Sequence, residues 1–338
     1  MTCFEFSRYT IGLCAAVAIL ASCNGSPSPV PIGTTASVTV VPHAGAWMDP
    51  STPQIKRLLY ISDDTAPFNV DVFNYSNGKH VGTIAGFGLV DGMCVDAKGD
   101  VWITNFSNAS VVEFAHGGVT PIQTLSAKPD PTGCSINPIN GDLAVGNFGR
   151  SAGFVQVFKH ANGNNQHLYV NTQCWGPAAL GYDSKGNLFV EAYNPSYVVV
   201  ICELRFQGGK LQIDSFDQSI DLPDGAMWDG KYLMLADQRD GDSYLYRVKL
   251  PHEGVVKTVG VTTLTDQNCE GTYVLGPFVV GAKNTPVNDV EGTIVVGDDL
   301  SCNPTRVNYW AYPPGGEPQK TLHFGPSNPG YQAVSIAP

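Results

Sequence analysis

Two Asp-Gly pairs carry the side chains best suited to chemistry in this sequence of 338 residues. Asp91-Gly92 and Asp224-Gly225 each stand at the start of a short apolar segment. Carboxylate oxygens are preferred ligands of a hard divalent cation such as calcium, which takes about six to eight oxygens. The pairs therefore allow a weak cation site formed by Asp91 and Asp224. The alternative, which we favour, is that each Asp stabilises its own turn through bonds to the backbone.

Other residue types offer less chemistry. None of the seven histidines falls within the ligand spacing of a zinc motif. His116 and His160 stand at equivalent positions after apolar segments and read as turn residues rather than catalysts. The sequence contains no GxSxG elbow, phosphate-binding glycine loop or HExxH motif. It therefore gives no support to serine hydrolase, nucleotide-binding or zincin activity.

The elements that must position these residues form a repeat. Turn glycines Gly99, Gly141, Gly186 and Gly230 lie 42, 45 and 44 residues apart, and each stands between two short apolar strands. A third strand, a Gly-containing turn and a fourth strand follow in each unit. A period of about 40 to 50 residues is typical of four-stranded propeller blades. The repeat therefore predicts stacked four-stranded sheets.

The two ends of the chain complete the count of blades. The segment 330–338 reads as a first strand without a second, and 58–63 reads as a second strand without a first. Placing both segments in one blade gives a total of six blades and leaves no sheet edge exposed. We therefore predict an all-β fold, a six-bladed β-propeller with four-stranded blades, whose ring closes by pairing the C-terminal strand with N-terminal strands.

The segment VDGMCVDAKGDVWITN, which begins at Val90, resembles the SMP-30/gluconolactonase family. In that family a PDGMxxD-type segment supplies an Asp that binds the catalytic divalent cation. The resemblance implies that Asp91 is a metal ligand, and LPDGAMWDG offers Asp224 by the same pattern. The family's remaining Glu and Asn ligands have no evident counterpart here. At the corresponding positions, where the first strands of the other blades begin, the chain has Thr132, Gly176, Gly276 and Gly330.

The repeat as a whole loosely resembles NHL-repeat propellers. A small polar residue ends most second strands: Asp63, Asn105, Asn147, Asp237 and Asp298. This ring resembles the aspartate that closes the "YVAD" strand of NHL repeats, which implies a structural role.

A propeller usually binds its ligand at the mouth of the central channel, where the first strands begin. Thr132, Trp175, Trp228 and Tyr331 lie in or near those strands and are candidate contacts for a sugar or peptide. The alternative, which we favour for the aromatic residues, is packing between blades.

The N-terminal segment predicts export. About ten apolar residues precede Leu20-Ala21-Ser22-Cys23, too few to span a bilayer and typical of a signal peptide. This tetrapeptide resembles the bacterial lipobox, which implies cleavage before Cys23 and a lipid on its sulfur. We therefore assign 1–22 to a signal peptide, 23–54 to the lipidated Cys and a flexible tether, and 55–338 to the propeller. The alternative is an ordinary secretory signal with an incidental Cys.

Six cysteines remain in an exported domain: Cys94, Cys134, Cys174, Cys202, Cys269 and Cys302. An even number permits disulfides. Loops that enter first strands and loops that link second to third strands share one face of a propeller, which makes Cys269–Cys302 and Cys134–Cys174 candidate pairs. The alternative is six buried free thiols.

The formal charge of −11 and the absence of any basic run argue against nucleic acid or an anionic lipid surface as a partner. We predict a monomer in the bacterial cell envelope, held to the membrane by its lipid anchor only. Its predicted function is non-catalytic binding of a protein, peptide or glycan, without a cofactor. The alternative is an SMP-30-like lactonase or esterase that depends on Ca²⁺ or another divalent cation.

Overall fold

The computed structural model describes residues 44–148, 153–250, 254–269, 278–280, 293–299, 306–323 and 329–336. Within these ranges the regular structure is β-strand, apart from three single-turn 3-10 helices at Thr52–Gln54, Phe106–Asn108 and Lys159–Ala161. The predicted all-β class is confirmed. Among the described residues, no helix has the length and apolar character needed to cross a membrane. The predicted signal segment, Cys23 and Cys302 lie outside the described residues.

The strands follow one another along the chain in short antiparallel runs. They are β1 (Trp47–Met48), β2 (Arg57–Asp63), β3 (Val70–Asn74), β4 (His80–Ile84), β5 (Val90–Val95), β6 (Val101–Asn105), β7 (Ser110–Phe114), β8 (Pro121–Ser126), β9 (Pro131–Ile136), β10 (Leu143–Asn147), β11 (Phe154–Phe158), β12 (Gln166–Val170), β13 (Gly176–Tyr182), β14 (Leu188–Tyr193), β15 (Val199–Leu204), β16 (Leu211–Phe216), β17 (Pro223–Trp228), β18 (Leu233–Arg239), β19 (Asp242–Lys249), β20 (Val255–Leu264), β21 (Phe278–Val280), β22 (Thr293–Asp299), β23 (Arg306–Tyr312), β24 (Lys320–His323) and β25 (Pro329–Ile336).

These strands form several four-stranded antiparallel units. Strands β5–β8, β9–β12 and β21–β24 each make one sheet. Strands β13–β16 and β17–β20 make two further units, joined where Ser215 and Phe216 pair in parallel with Val255 and Val256. The alternating apolar segments and the turns between them produce this arrangement, because side chains alternate between the two faces of a strand.

The sheet that contains the N-terminal strands has the order β1-β4-β3-β2-β25. Strand β25 pairs antiparallel with β2, and Leu59 lies opposite Val334. The C-terminal segment and the N-terminal strands therefore share one sheet. Strand β1 pairs with β4, with Trp47 opposite Thr83, so residues assigned from the sequence to the tether belong to this sheet as well.

The core lies between neighbouring sheets. Tyr60 of β2 packs in one buried cluster with Ile103 of β6 and Phe114 of β7. Phe158 of β11 belongs to another cluster, which also holds Trp102. Burying each such side chain contributes about 1.5–3 kcal/mol, so stacked sheet faces hold the molecule together.

Two disulfides are present among the described residues, and one predicted pairing is wrong. Cys134 bonds to Cys94, with a Cα–Cα distance of 5.6 Å, rather than to Cys174. Cys94 and Cys134 lie on β5 and β9, which are first strands in contact with each other. Cys174 bonds instead to Cys202 of β15 within its own sheet unit, and both of these residues are fully buried. Cys134 therefore finds its partner through the contact between first strands rather than through loops on one face.

Cys269 is also disulfide-bonded, and its Sγ lies against the Arg306 guanidinium. Its predicted partner, Cys302, falls outside the described residues. Disulfides are typical of proteins in oxidising compartments, so those described here indicate an exported protein.

Candidate functional site

The polar residues that end the second strands fasten the loops between sheets. Asn105 Oδ1 accepts a hydrogen bond from Gly88 N at 3.0 Å. Asn147 Nδ2 donates to Lys128 O at 2.7 Å, and Asp237 Oδ1 accepts from Asp221 N at 2.7 Å. Each bond spans 16 to 19 residues of chain. These three side chains therefore have a structural role.

The two Asp-Gly pairs lie at irregularities in first strands. The register of β5 with β6 shifts between Val90 and Met93, which brackets Asp91. The register of β17 with β18 shifts between Pro223 and Ala226, which brackets Asp224. A β-bulge of this kind takes residues out of the ladder and can turn a side chain toward a site.

The fold separates the two aspartates by two further strands. Contacts run from β5 to β9, from β9 to β13 and from β13 to β17, so Asp91 and Asp224 lie on first strands that are not neighbours. Asp91 is half-buried, and the side chain of Asp224 is outside the described residues. The pair remains a predicted cation site.

Glu191 is a carboxylate in this region that the sequence analysis missed. It lies on β14 with no exposed surface, and its Oε2 accepts a hydrogen bond from Gly225 N at 3.3 Å. In the other second strands, the position equivalent to Glu191 directly precedes the polar residue that ends the strand. A small residue occupies that position in each of them: Ser62, Thr104, Gly146, Ala236 and Gly297. This break in the repeat is the signal that could have identified it. Glu191 places a buried carboxylate beside the backbone that follows Asp224.

An exposed aromatic cluster lies where β13 begins. The ring centroids of Phe148 and Trp175 are 4.9 Å apart, and those of Trp175 and Tyr197 are 5.4 Å apart, both with edge-on geometry. The side chain of Tyr197 is 67% exposed, and the neighbouring Val198 is 57% exposed. We call these four residues, Phe148, Trp175, Tyr197 and Val198, the aromatic patch.

The other predicted mouth contacts have different surroundings. Thr132 is 6% exposed and its Oγ1 donates to Pro177 O at 2.9 Å, so its hydroxyl joins β9 to β13. Trp228 is the last residue of β17, about 16 Å along the strand from Pro223. It packs against the buried cluster around Phe189, which agrees with the packing role favoured for the aromatic residues. Tyr331 lies on β25, and its side chain is outside the described residues.

The two hairpin histidines hold local structure, as predicted. The Nε2 atom of His116 lies 2.7 Å from Ile55 O, and burial lowers the pKa of its imidazole. The Nδ1 atom of His160 lies 2.8 Å from Asn140 O. Both rings bond to backbone carbonyls of distant turns.

Asp96, Asp100 and Glu113 form a group of three carboxylates with ligand atoms within 4.8 Å of one another. Burial raises the pKa of both Asp100 and Glu113, and the negative charge of Asp96 adds to the shift of Asp100. Asp96 Oδ1 accepts from Lys98 N and Asp100 N, so it closes the hairpin between β5 and β6. The arrangement is explained by that turn.

Comparisons with known proteins identify the fold. No family model matches the chain, and no curated protein is significantly similar to it in sequence. A crystal structure of a nidogen/laminin complex matches with a TM-score of 0.62 and 14% identity over 83% of this chain and 99% of that chain. Hydrazine synthase of Kuenenia stuttgartiensis matches with a TM-score of 0.54 and 14% identity over 84% of this chain and 80% of that chain. A protein of unknown function from Bacteroides caccae matches with a TM-score of 0.50 and 12% identity, over 83% and 99% of the two chains.

The first two of these neighbours are β-propeller proteins. At this level of identity the likeness concerns the fold alone. The chain is therefore an all-β protein with propeller architecture.

Proposed function

We propose that the chain is an exported, lipid-anchored, six-bladed β-propeller that acts as a non-catalytic binding module. In this proposal the aromatic patch is the contact surface and a protein or peptide is the partner. A glycan is the other ligand class predicted from the sequence, and the test below distinguishes it.

The strand pairing supports the count of six. Six groups of four consecutive partners can be traced: β25 with β2–β4, β5–β8, β9–β12, β13–β16, β17–β20 and β21–β24. Pairing of β25 with β2 supports a ring closed between the two ends of the chain. Closure removes the sheet edges that would otherwise recruit other chains, which agrees with a monomer.

The aromatic patch is the observation that carries the binding proposal. Aromatic residues are enriched at the centres of protein interfaces because a large rigid ring buries much area at little entropic cost. Tyr197 and Val198 are exposed although Phe148 and Trp175 already pack beside them. Tyr197 holds φ at +59°, a left-handed conformation that is unfavourable for a residue with a side chain. The loop therefore displays the ring at a local energetic cost.

The nidogen/laminin match gives further support. That structure is a complex of nidogen with laminin, and the present chain covers 99% of the matched chain. Fold analogy of this kind is an association, so the test rests on the residues of the patch.

Site-specific cross-linking in the producing cell tests this proposal. A photo-reactive phenylalanine analogue replaces Tyr197, and the matched control places it at Ile122 of β8, which is 50% exposed on an outer strand. We expect a discrete cross-linked protein from position 197 that is absent from position 122 and is lost when Trp175→Ala is added. No adduct at 197, or an adduct containing only carbohydrate, would overturn the choice of a protein partner.

The lipid anchor is proposed from Leu20-Ala21-Ser22-Cys23, and the disulfides agree with export. A Cys23→Ser variant should lose membrane association. If it fractionates with the membrane as the natural chain does, the anchor is excluded.

Glu191 favours a second candidate function, the divalent-metal lactonase or esterase. A carboxylate buried against Gly225 adds an oxygen donor next to Asp224, and oxygen donors fit a hard cation such as Ca²⁺. A bound cation would polarise a substrate carbonyl, while Glu191, Asp224 and Asp91 would hold it.

Thermal unfolding with and without Ca²⁺, Mn²⁺ or Zn²⁺ tests this candidate. A cation that binds only the folded state must raise the melting temperature. If no metal raises it, the enzymatic candidate is excluded. A rise that disappears in Glu191→Gln would instead favour the enzyme over the simple binding module.

A further inference from the structure

A cleft of about 280 Å³ lies between the β9–β12 sheet and the unit β13–β16. The aromatic patch lies elsewhere on the same elements. Trp175 directly precedes β13, whereas Tyr182, which lines the cleft, is the last residue of that strand. Seven residues of strand separate the two regions by about 20 Å. The cleft is therefore independent of the proposed protein-binding surface.

Three aromatic rings line the cleft: Tyr169, Tyr182 and Phe206. Tyr182 is only 7% exposed, and its side chain forms part of the cleft wall. Burial raises the pKa of Tyr182 above its usual range, so the hydroxyl stays protonated and can both donate and accept. At the cleft, this hydroxyl is a suitable partner for an uncharged polar group of a ligand.

The charged groups at the cleft are already neutralised. Lys159 Nζ lies 2.8 Å from Asp142 Oδ2, and Asp142 Oδ1 accepts a further bond from His160 N at 2.9 Å. Arg205 Nε lies 3.0 Å from Glu203 Oε2. Neither cation offers an uncompensated charge to a phosphate or carboxylate. Both keep further N–H groups that can donate to uncharged oxygens.

Two turns at the cleft hold residues with side chains in the left-handed conformation. His160 has a φ of +50° and Gln207 a φ of +59°. In the corresponding turn between β7 and β8, Gly117 takes the positive φ, +67°, at no steric cost. Non-glycine residues in this region are often found where a site requires a fixed turn. Gln207, three residues after the end of β15, thus presents a polar side chain at the cleft where Gly117, three residues after the end of β7, has none.

We propose that this cleft binds a neutral carbohydrate, as one or two sugar residues. Sugar rings have apolar C–H faces, which pack against aromatic rings such as Tyr169 and Phe206, and hydroxyl edges, which bond to Tyr182 and to the Lys159–Asp142 pair. The volume lies near the lower end of the usual range for small-ligand pockets, about 300–1,000 Å³, which suits a ligand of this size. The internal ion pairs select a neutral ligand over an anionic one.

Titration calorimetry and ligand-observed NMR on the full chain test the proposal. The neutral probes are methyl α-D-glucopyranoside, methyl β-D-galactopyranoside, N-acetylglucosamine and maltose, and the charged comparators are glucuronate and inorganic phosphate. We expect saturable binding of at least one neutral probe and none of phosphate. A higher affinity for maltose than for the monosaccharides would indicate the end of a glycan rather than a free sugar.

Variants place the binding in the cleft. Tyr182→Phe removes only the hydroxyl and should weaken binding about fivefold to tenfold, the loss expected for one hydrogen bond. Tyr169→Ala removes one wall and should abolish binding. The matched control is Tyr232→Phe, which removes a hydroxyl from the hairpin between β17 and β18, outside the cleft, and should leave the affinity unchanged.

The proposal fails if no neutral probe binds saturably, or if phosphate or glucuronate binds in its place. It also fails if neutral binding persists unchanged in both Tyr182→Phe and Tyr169→Ala. Thermal unfolding of each variant shows whether it is folded. If Tyr169→Ala does not fold, Tyr182→Phe still tests the proposal, because it keeps the aromatic ring and its packing. Cross-linking at Tyr197 is an independent experiment, so a failure of carbohydrate binding would not affect the test of the proposed protein partner.

Discussion

Asp214 is a buried carboxyl group whose Oδ2 atom has no hydrogen-bond partner in the described part of the chain. It lies on β16, is 4% exposed, and sits opposite Ile201 of β15. Burial and, to a smaller extent, the negative charge of Glu203 together raise its pKa to about 6, while the charge of Arg205 acts in the opposite direction. The folded protein therefore holds a proton on Asp214 more tightly than the unfolded chain does.

The sign of this shift predicts a pH-dependent gain from Asp214→Asn. The pKa of Asp214 is higher in the folded state than in the unfolded state, so the folded protein loses stability as the pH rises from about 4 to about 6. Above that range the buried charged carboxylate destabilises the folded state. Asn carries no charge, so the variant should be more stable at pH 7 to 8 by on the order of 1 kcal/mol. The advantage should shrink as the pH falls toward 4. Urea unfolding across this pH range measures it.

Asp49→Asn is the control of opposite sign. Hydrogen bonds from the Ser51 backbone and hydroxyl lower the pKa of Asp49. Its charged form is favoured in the folded state, so the substitution should reduce stability at neutral pH, and the difference should fade in acid. The account of Asp214 is wrong if Asp214→Asn destabilises the protein at pH 8.

At the scale of elements, the close approach of first strands explains part of the Asp-Gly pattern. A Cβ atom on Gly92 would lie 2.8 Å from the Gly133 Cα atom and 2.9 Å from the Thr132 backbone oxygen. The obstacles are backbone atoms of β9, which cannot swing aside as a flexible side chain can. Gly92 is thus required for packing, whether or not Asp91 binds a cation.

Gly92→Ala should therefore destabilise the protein by about 1–3 kcal/mol, the usual effect of adding a methyl group to a tightly packed interior. The matched control is Gly209→Ala, since a Cβ there would have no atom within 4 Å. Denaturant unfolding of both variants measures the difference. Equal stability of the two would mean that β5 and β9 can move apart at little cost.

At the scale of the whole molecule, the pairing of β25 with β2 joins the two ends of the described chain. Deletion of residues 329–338 would leave β2 with an unpaired edge from Arg57 to Asp63. An exposed edge strand is a template for association with other chains. We expect the deletion to lower the melting temperature and to promote aggregation on heating, as followed by light scattering.

Deletion of residues 1–50 provides the comparison, because it removes from the described sheets only β1, whose two residues pair with Thr83 and Gly82. This change should affect the melting temperature much less. If the two deletions have equal effects, the pairing of β25 with β2 contributes little to stability.

Local patterns along the chain were sufficient to predict the strands, the turns between them and the propeller architecture. Alternation of side chains along a strand and the requirement for glycine at turns such as Gly99, Gly141 and Gly186 act over a few residues, so they can be read without a structure. The same local rules identified the polar strand ends that fasten the loops.

Contacts between residues of different sheets follow from the three-dimensional fold. The fold pairs Cys94 with Cys134, places Trp228 at the far end of β17, buries Glu191 against Gly225 and brings Tyr182 to the wall of a cleft. Each of these outcomes depends on how neighbouring sheets stack and on which strand ends face each other. Such contacts join residues far apart in the chain, and no short segment of sequence contains both partners.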